Sequence, residues 1–300
     1  PGFLFRVSIY PTKTIDFKST APADLSLYTK SPSNYSTGLL SVCVPGVVDG
    51  LLTALEEWGT MSREEIISPA VKLAEEGFIL SADFAGTLSD TYEKILNASG
   101  DIANVYLNEM MLYSAGDIFK NPDQAVILRE IIEGGSEAFY SGTFADKLDA
   151  FFRENGGAIR KADLENYNAE IKDAVTGTYR GYGIYSVPPS VAGAQLIEGL
   201  NILEYFNLSA FEYDDPMVVS LIADALYLAS IDRRNYIEDS DSVPVKGLTS
   251  KEFAKSRLPL LTLGEGLKRI TNTAERNKTY VGNPLPYELG ESYVDVELVG

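Results

Sequence analysis

The side chains able to do chemistry in this chain are carboxylates, tyrosines, lysines and hydroxyls, because it holds no histidine and one cysteine. Without imidazole there is no His-based nucleophile triad and no His-ligated metal site. Acid–base work falls to Asp, Glu, Tyr, Lys or a free N-terminal amine, which can activate a hydroxyl beside it. Cys43 has no partner for an internal disulfide, and its place in the apolar run Leu39–Val44 predicts a buried, inert thiol. The 43 acidic residues against 25 basic ones give a net charge of −18. Phosphate-backbone binding needs Lys and Arg clusters, and none appears, so nucleic acid is not an expected partner. The acidity fits a solvated surface. No cofactor or metal is expected.

The elements that would position such groups alternate short strands with longer helices. Phe3–Tyr10 and Lys13–Phe17 read as a hairpin turned at Pro11 and Thr12. Val47–Trp58 follows Pro45-Gly46 with helical spacing and stops at Gly59. Ser62 and Glu65 form a capping-box signature for a helix running toward Gly77. Ser81–Asn97 predicts one helix with Phe84, Leu88, Tyr92 and Ile95 on one face. Another opens at Asn121-Pro122 and is expected to end at Gly134-Gly135, and a further one covers Phe144–Glu154. Tyr182–Val187 alternates as a strand and stops at Pro188-Pro189, which cannot donate to a ladder. Leu196, Ile197, Leu200, Leu203 and Phe206 then mark a buried helix, and Met217–Asp232 is apolar on most sides. Gly264–Pro286 is the best linker candidate. The chain has 45% apolar and 23% charged residues, ordinary for a globular domain. It has no apolar run of the 18 or more residues that crossing a bilayer takes. It starts at Pro1 inside a strand, so the expectation is a segment beginning after the start of a longer protein, with localisation unreadable.

Tyr179-Arg-Gly-Tyr182, Pro188-Pro189-Ser190 and Leu200-Asn-Ile-Leu-Glu204 together resemble the YRGY…PPPSSGG…LNILE block of the gamma-glutamyltransferase (gamma-glutamyltranspeptidase) family. Other blocks follow in the same order. Gly2-Phe-Leu-Phe5 with Asp16-Phe-Lys-Ser-Thr-Ala-Pro22 resembles its opening, and Val44-Pro-Gly-Val-Val-Asp-Gly50 with Trp58-Gly-Thr60 its VPG segment. Ser68–Phe78, Gly116-Asp117, Gln124-Ala125, Ala138–Gly142, Gly156-Gly157, Asp163-Leu164 with Tyr167, and Asp232-Arg233 with Tyr236 complete the series. The resemblance implies an α+β fold, the helix-rich large-subunit part of a four-layer αββα N-terminal nucleophile hydrolase sandwich. It further implies a precursor that cuts itself, and a freed N-terminal Thr that attacks a gamma-glutamyl amide such as glutathione with its own alpha-amine as base. The partners implied are that small-molecule substrate and the small-subunit half of the same precursor, with oligomerisation left open.

Two departures bear on the chemistry. The Arg of the family's RE-x-AP motif clamps the substrate's alpha-carboxylate, and that position is Lys18 here, followed by Ser19 in place of Glu. Lys keeps the charge but loses the planar fork that grips a carboxylate with two bonds. The family's spacing puts the self-cleavage junction near 285–293, where no Thr stands and the nearest hydroxyl nucleophile is Ser292. The alternation Tyr293, Val294, Val296, Leu298 reads as the start of a small-subunit strand, over about 291–300. Staying uncut is the favoured expectation, because Glu291 would crowd the junction with negative charge. The leading reading is a gamma-glutamyltransferase-related enzyme with Lys18 on substrate, shifting its specificity, and with its small-subunit half outside this segment; Ser292 is the candidate substitute nucleophile. The alternative is a non-catalytic homologue kept as a binding or assembly protein. An unrelated α/β binding protein would make every block a coincidence.

Overall fold

A computed structural model describes residues 2–5, 12–30, 37–98, 101–261 and 266–288. It divides into two compact units, one from Asp16–Glu170 and one joining Gly2–Ile15 to Ile171–Gly300.

The first unit is helical. Helix Val47–Trp58 has the bounds its spacing predicts. Ser62 caps Arg63–Glu76 as a full capping box: its hydroxyl accepts from the Glu65 amide at 3.2 Å, and Glu65 Oε2 accepts from the Ser62 amide at 2.8 Å. Gly77, at φ 90°, ends that helix in a conformation that favours glycine. Phe78 then begins a two-stranded antiparallel ribbon, with Phe78 opposite Phe119 and Ile79 opposite Ile118.

Three features of this unit differ from the sequence expectations. Ser81–Asn97 is not one helix but two, Ala82–Asp90 and Tyr92–Leu96. The Thr91 hydroxyl donates back to the Thr87 carbonyl at 2.7 Å, the local competition that makes Thr a poor helix interior. The predicted apolar face survives, since Leu88 and Ile95 are buried with Phe84 and Tyr92 against them. The helix from Pro122 breaks at Gly135 (φ 63°, ψ −146°), where the glycine pair predicts its end, but a second helical stretch follows directly and runs on to Tyr140. Cys43 is exposed rather than buried. Val44 takes the inward place through its bridge to Thr20, and neighbours in extended chain point to opposite sides. Helices Thr143–Glu154 and Lys161–Glu165 close the unit around Val44, Tyr140, Phe152, Ile159 and Leu164.

The second unit holds a three-stranded sheet in the order Gly2–Phe5, Lys13–Asp16, Glu170–Asp173. The two strands predicted as a hairpin are thus neighbours, with 6–11 between them outside the described residues. A separate hairpin pairs Val175–Tyr179 with Tyr182–Ser186. Arg180 and Gly181, at φ 49° and 84°, supply the two positive dihedrals that a tight hairpin turn requires. The predicted strand, proline turn and buried helix follow, the helix spanning Gly193–Leu203. Pro216–Tyr236 packs on it, burying Leu221, Ala225, Leu228 and Ile231, while Val219 and Leu226 remain exposed. Helix Thr273–Tyr280 lies in the stretch expected as a linker and sends Tyr280 into the same core.

Candidate functional site

Lys18 follows the edge of strand Lys13–Asp16 in an irregular segment stitched to its surroundings. Phe17 before it is buried and lies where any side chain at Gly50 would have to go, 2.2 Å from a Cβ built there. Thr20 and Val44 exchange backbone bonds of 3.2 and 2.8 Å, and the Ala23 amide donates to Asp163 Oδ1 at 2.8 Å. The Lys18 side chain is 23% exposed, and its Nζ lies 3.7 Å from Asp16 Oδ2.

Around this segment the first unit builds a polar network. The Lys18 amide donates to Asp16 Oδ1 at 3.3 Å, and its carbonyl accepts from the Tyr167 hydroxyl at 2.9 Å. Tyr167 stacks on Tyr140 with ring centroids 5.5 Å apart and planes 10° from parallel. The Tyr140 hydroxyl donates to the Pro45 carbonyl at 2.8 Å and accepts from the Asp49 amide at 3.3 Å. Asp49 accepts from the Ser136 hydroxyl at 2.5 Å and from the Ala169 amide at 2.7 Å. Burial first, then the charges of Asp49, Asp16 and Glu170, push the Tyr167 phenol up to about 12, and burial pushes Tyr140 up further. Both therefore stay protonated donors across physiological pH.

Of the two residues singled out from sequence, Lys18 is thus built into the first unit, while Ser292 and the strand expected at Tyr293–Val299 lie outside the described residues. The network of Asp49, Ser136, Tyr140 and Tyr167 carries no signature of its own in the sequence. Val44–Gly50, Ala138–Gly142 and Tyr167 stand in blocks of the resemblance, but the spacing does not say that these blocks meet. Among the described residues no group of three Cys, Asp or Glu side chains could hold a metal ion. Among them also no helix is long and apolar enough to cross a membrane.

Comparison with known proteins places the chain in a family. The family described as gamma-glutamyltranspeptidase matches residues 5–283. A glutathione hydrolase proenzyme of Bacillus subtilis is 34% identical over 261 residues, covering 86% of this chain and 43% of that protein. An acylase proenzyme, ACY 1, of a Pseudomonas species is 33% identical over 229 residues, covering 75% of this chain and 41% of its own length. The crystal structure of Helicobacter pylori gamma-glutamyltranspeptidase superposes with a TM-score of 0.84 at 31% identity, over 92% of this chain and 80% of that one. The fold is therefore that of the Helicobacter pylori structure, and this chain is a helix-rich part of it. The chain spans less than half the length of the curated relatives it matches.

Proposed function

Because this chain belongs to the gamma-glutamyltranspeptidase family, we propose that the intact protein transfers or hydrolyses gamma-glutamyl amides such as glutathione. The observation that carries this reading is the match along nearly the whole segment to relatives named glutathione hydrolase. A hydroxyl freed at a new chain start would attack the gamma carbonyl. Its alpha-amine would take the hydroxyl proton and return it to the leaving amine, which suits a chain with no histidine. Relatives named proenzymes support a self-cleaved precursor with a small-subunit partner over the uncut alternative. Lys18 is read as the anchor of the substrate's alpha-carboxylate, and Ser292 as the nucleophile within this segment.

A second substrate class is favoured by one observation. An acylase stands among the relatives, at 33% identity over 75% of this chain, and Lys at position 18 lacks the fork that makes a carboxylate site selective. The test is turnover by the full-length protein of two anilides, gamma-glutamyl and glutaryl, which differ only in the alpha-amine. Release of aniline from the gamma-glutamyl compound is the expected result. Turnover of the glutaryl compound alone assigns an acylase, and turnover of neither overturns both readings.

A further inference from the structure

Lys18 is held more firmly than a loop lysine needs. Side chains grip its peptide at both ends, Asp16 at the amide and Tyr167 at the carbonyl. Tyr167 is in turn confined. Its ring is stacked on Tyr140, and its hydroxyl fills the space beside Gly46, where a Cβ would sit 1.9 Å from that oxygen and 2.4 Å from the Phe17 carbonyl. Asp49 ties Tyr140 to the chain just past Tyr167, through the Tyr140 hydroxyl on one side and the Ala169 amide on the other. The circuit closes on itself, so no member can shift without breaking a bond made by another. A Phe at 167 would keep the stacking and the burial. What the hydroxyl adds is its bond to the Lys18 carbonyl.

We propose that Tyr167 is the positioning residue for Lys18: its hydroxyl fixes the backbone from which the Lys18 ammonium reaches a substrate carboxylate, and the Tyr140–Asp49 pair holds Tyr167 in place. The role rests on the reading of Lys18 as a carboxylate anchor, and two measurements separate that reading from the positioning itself. In the first, lysines of the full-length protein carry ¹³C-dimethyl groups, and the Lys18 signal is assigned by its loss in Lys18→Arg. That signal is expected apart from those of surface lysines, and Tyr167→Phe should move it onto them. An unmoved signal overturns the proposal whatever the protein turns over. In the second, Tyr167→Phe should raise KM for the gamma-glutamyl anilide about five-fold with kcat unchanged, the scale of one neutral hydrogen bond. The double variant with Lys18→Ala should be no worse than Lys18→Ala alone, because both changes remove the same interaction. A fall in kcat at unchanged KM, or effects that multiply in the double variant, overturns it. If the parent turns over no gamma-glutamyl compound, the substrate reading falls and the Lys18 signal alone decides the positioning. Should Tyr167→Phe fold poorly, Tyr140→Phe, which keeps the ring under Tyr167 but cuts its tie to Asp49 and leaves the Lys18 peptide untouched, carries the same expectation for the signal.

Discussion

At position 18 the difference between Lys and Arg is one of geometry, not charge. A carboxylate bound by an ammonium has one strong contact that can swivel; a guanidinium would lock its plane. Lys18→Ala should therefore raise KM for a gamma-glutamyl anilide by about 30-fold, the ~2 kcal/mol of a hydrogen bond to a charged group, and leave a 4-aminobutyryl anilide, which has no carboxylate, almost untouched. Equal losses on both substrates would show Lys18 acting on folding rather than on substrate. A different kind of charge lies in the second unit, where Glu198 and Asp232 are fully buried on packed helices and Arg257 Nη2 sits 3.1 Å from Asp232 Oδ2. Asp232 Oδ1 also accepts from the Gly282 amide at 2.6 Å, so Asp232 is the better-supported anion. Burial, then the Asp232 charge, raises Glu198 well above the ordinary carboxylate range, against a smaller pull from Arg257. Burial raises Asp232 too, opposed first by Arg257. Glu198 then holds the proton and can donate it to Asp232; Tyr236 is the other titratable group facing them, its own proton held by burial and the Asp232 charge. Since the folded state binds that proton more tightly than the unfolded chain, its share of stability is complete below the unfolded value of 4.5. It drains as pH rises toward and through the folded one. Melting followed from about pH 5 to about pH 9 should show a decline that Glu198→Gln flattens, because an amide donates without titrating. A decline of the same slope in the variant would place the effect elsewhere.

Among the elements, helix Val47–Trp58 does most to shape the site, and two glycines let it do so. Gly46 lies against Tyr167 and Gly50 against the Phe17 ring, each closer than any side chain would allow. Gly46→Ala meets a backbone carbonyl at 2.4 Å as well as the Tyr167 hydroxyl, so the clash has no flexible end to yield. A loss of about 1–3 kcal/mol is expected from overpacking, read as a lower midpoint in urea at unchanged slope. A variant as stable as the parent would mean that the helix start can slide away. This helix also shows where the sequence is legible. Its bounds follow from local spacing and a following Gly59, and the cap at Ser62 from two residues three apart; both are settled by neighbours in the chain. The break at Thr91 depends on a hydroxyl turning back on its own helix, and the exposure of Cys43 on which neighbour pairs with Thr20. Spacing is blind to both. The bond from Tyr167 to Lys18 spans 149 positions, and no local pattern reports such a meeting. Position 18 was legible as a candidate anchor only by resemblance, and the Tyr167 contact behind it only from the fold.

For the whole molecule, the question is where the chain is cut. The bacterial glutathione hydrolases that it matches are named proenzymes, and this chain spans less than half of their length; the family match runs to residue 283, just short of the expected junction near 285–293. An N-terminal nucleophile mechanism needs a hydroxyl residue whose amine is released by cleavage, since the same amine serves as base. The purified full-length protein should therefore give two masses. With the cut before Ser292, Ser292→Ala should leave one intact mass and no turnover, because it removes both the attacking hydroxyl of self-cleavage and the nucleophile. With the cut at a hydroxyl residue past Gly300, Ser292→Ala should still give two masses and near-normal kcat, which would withdraw Ser292 from the mechanism while leaving the reaction in place. A single intact mass in the parent would deny it the free amine. The fold would then serve binding or assembly, and the anilide assays should read zero for the parent.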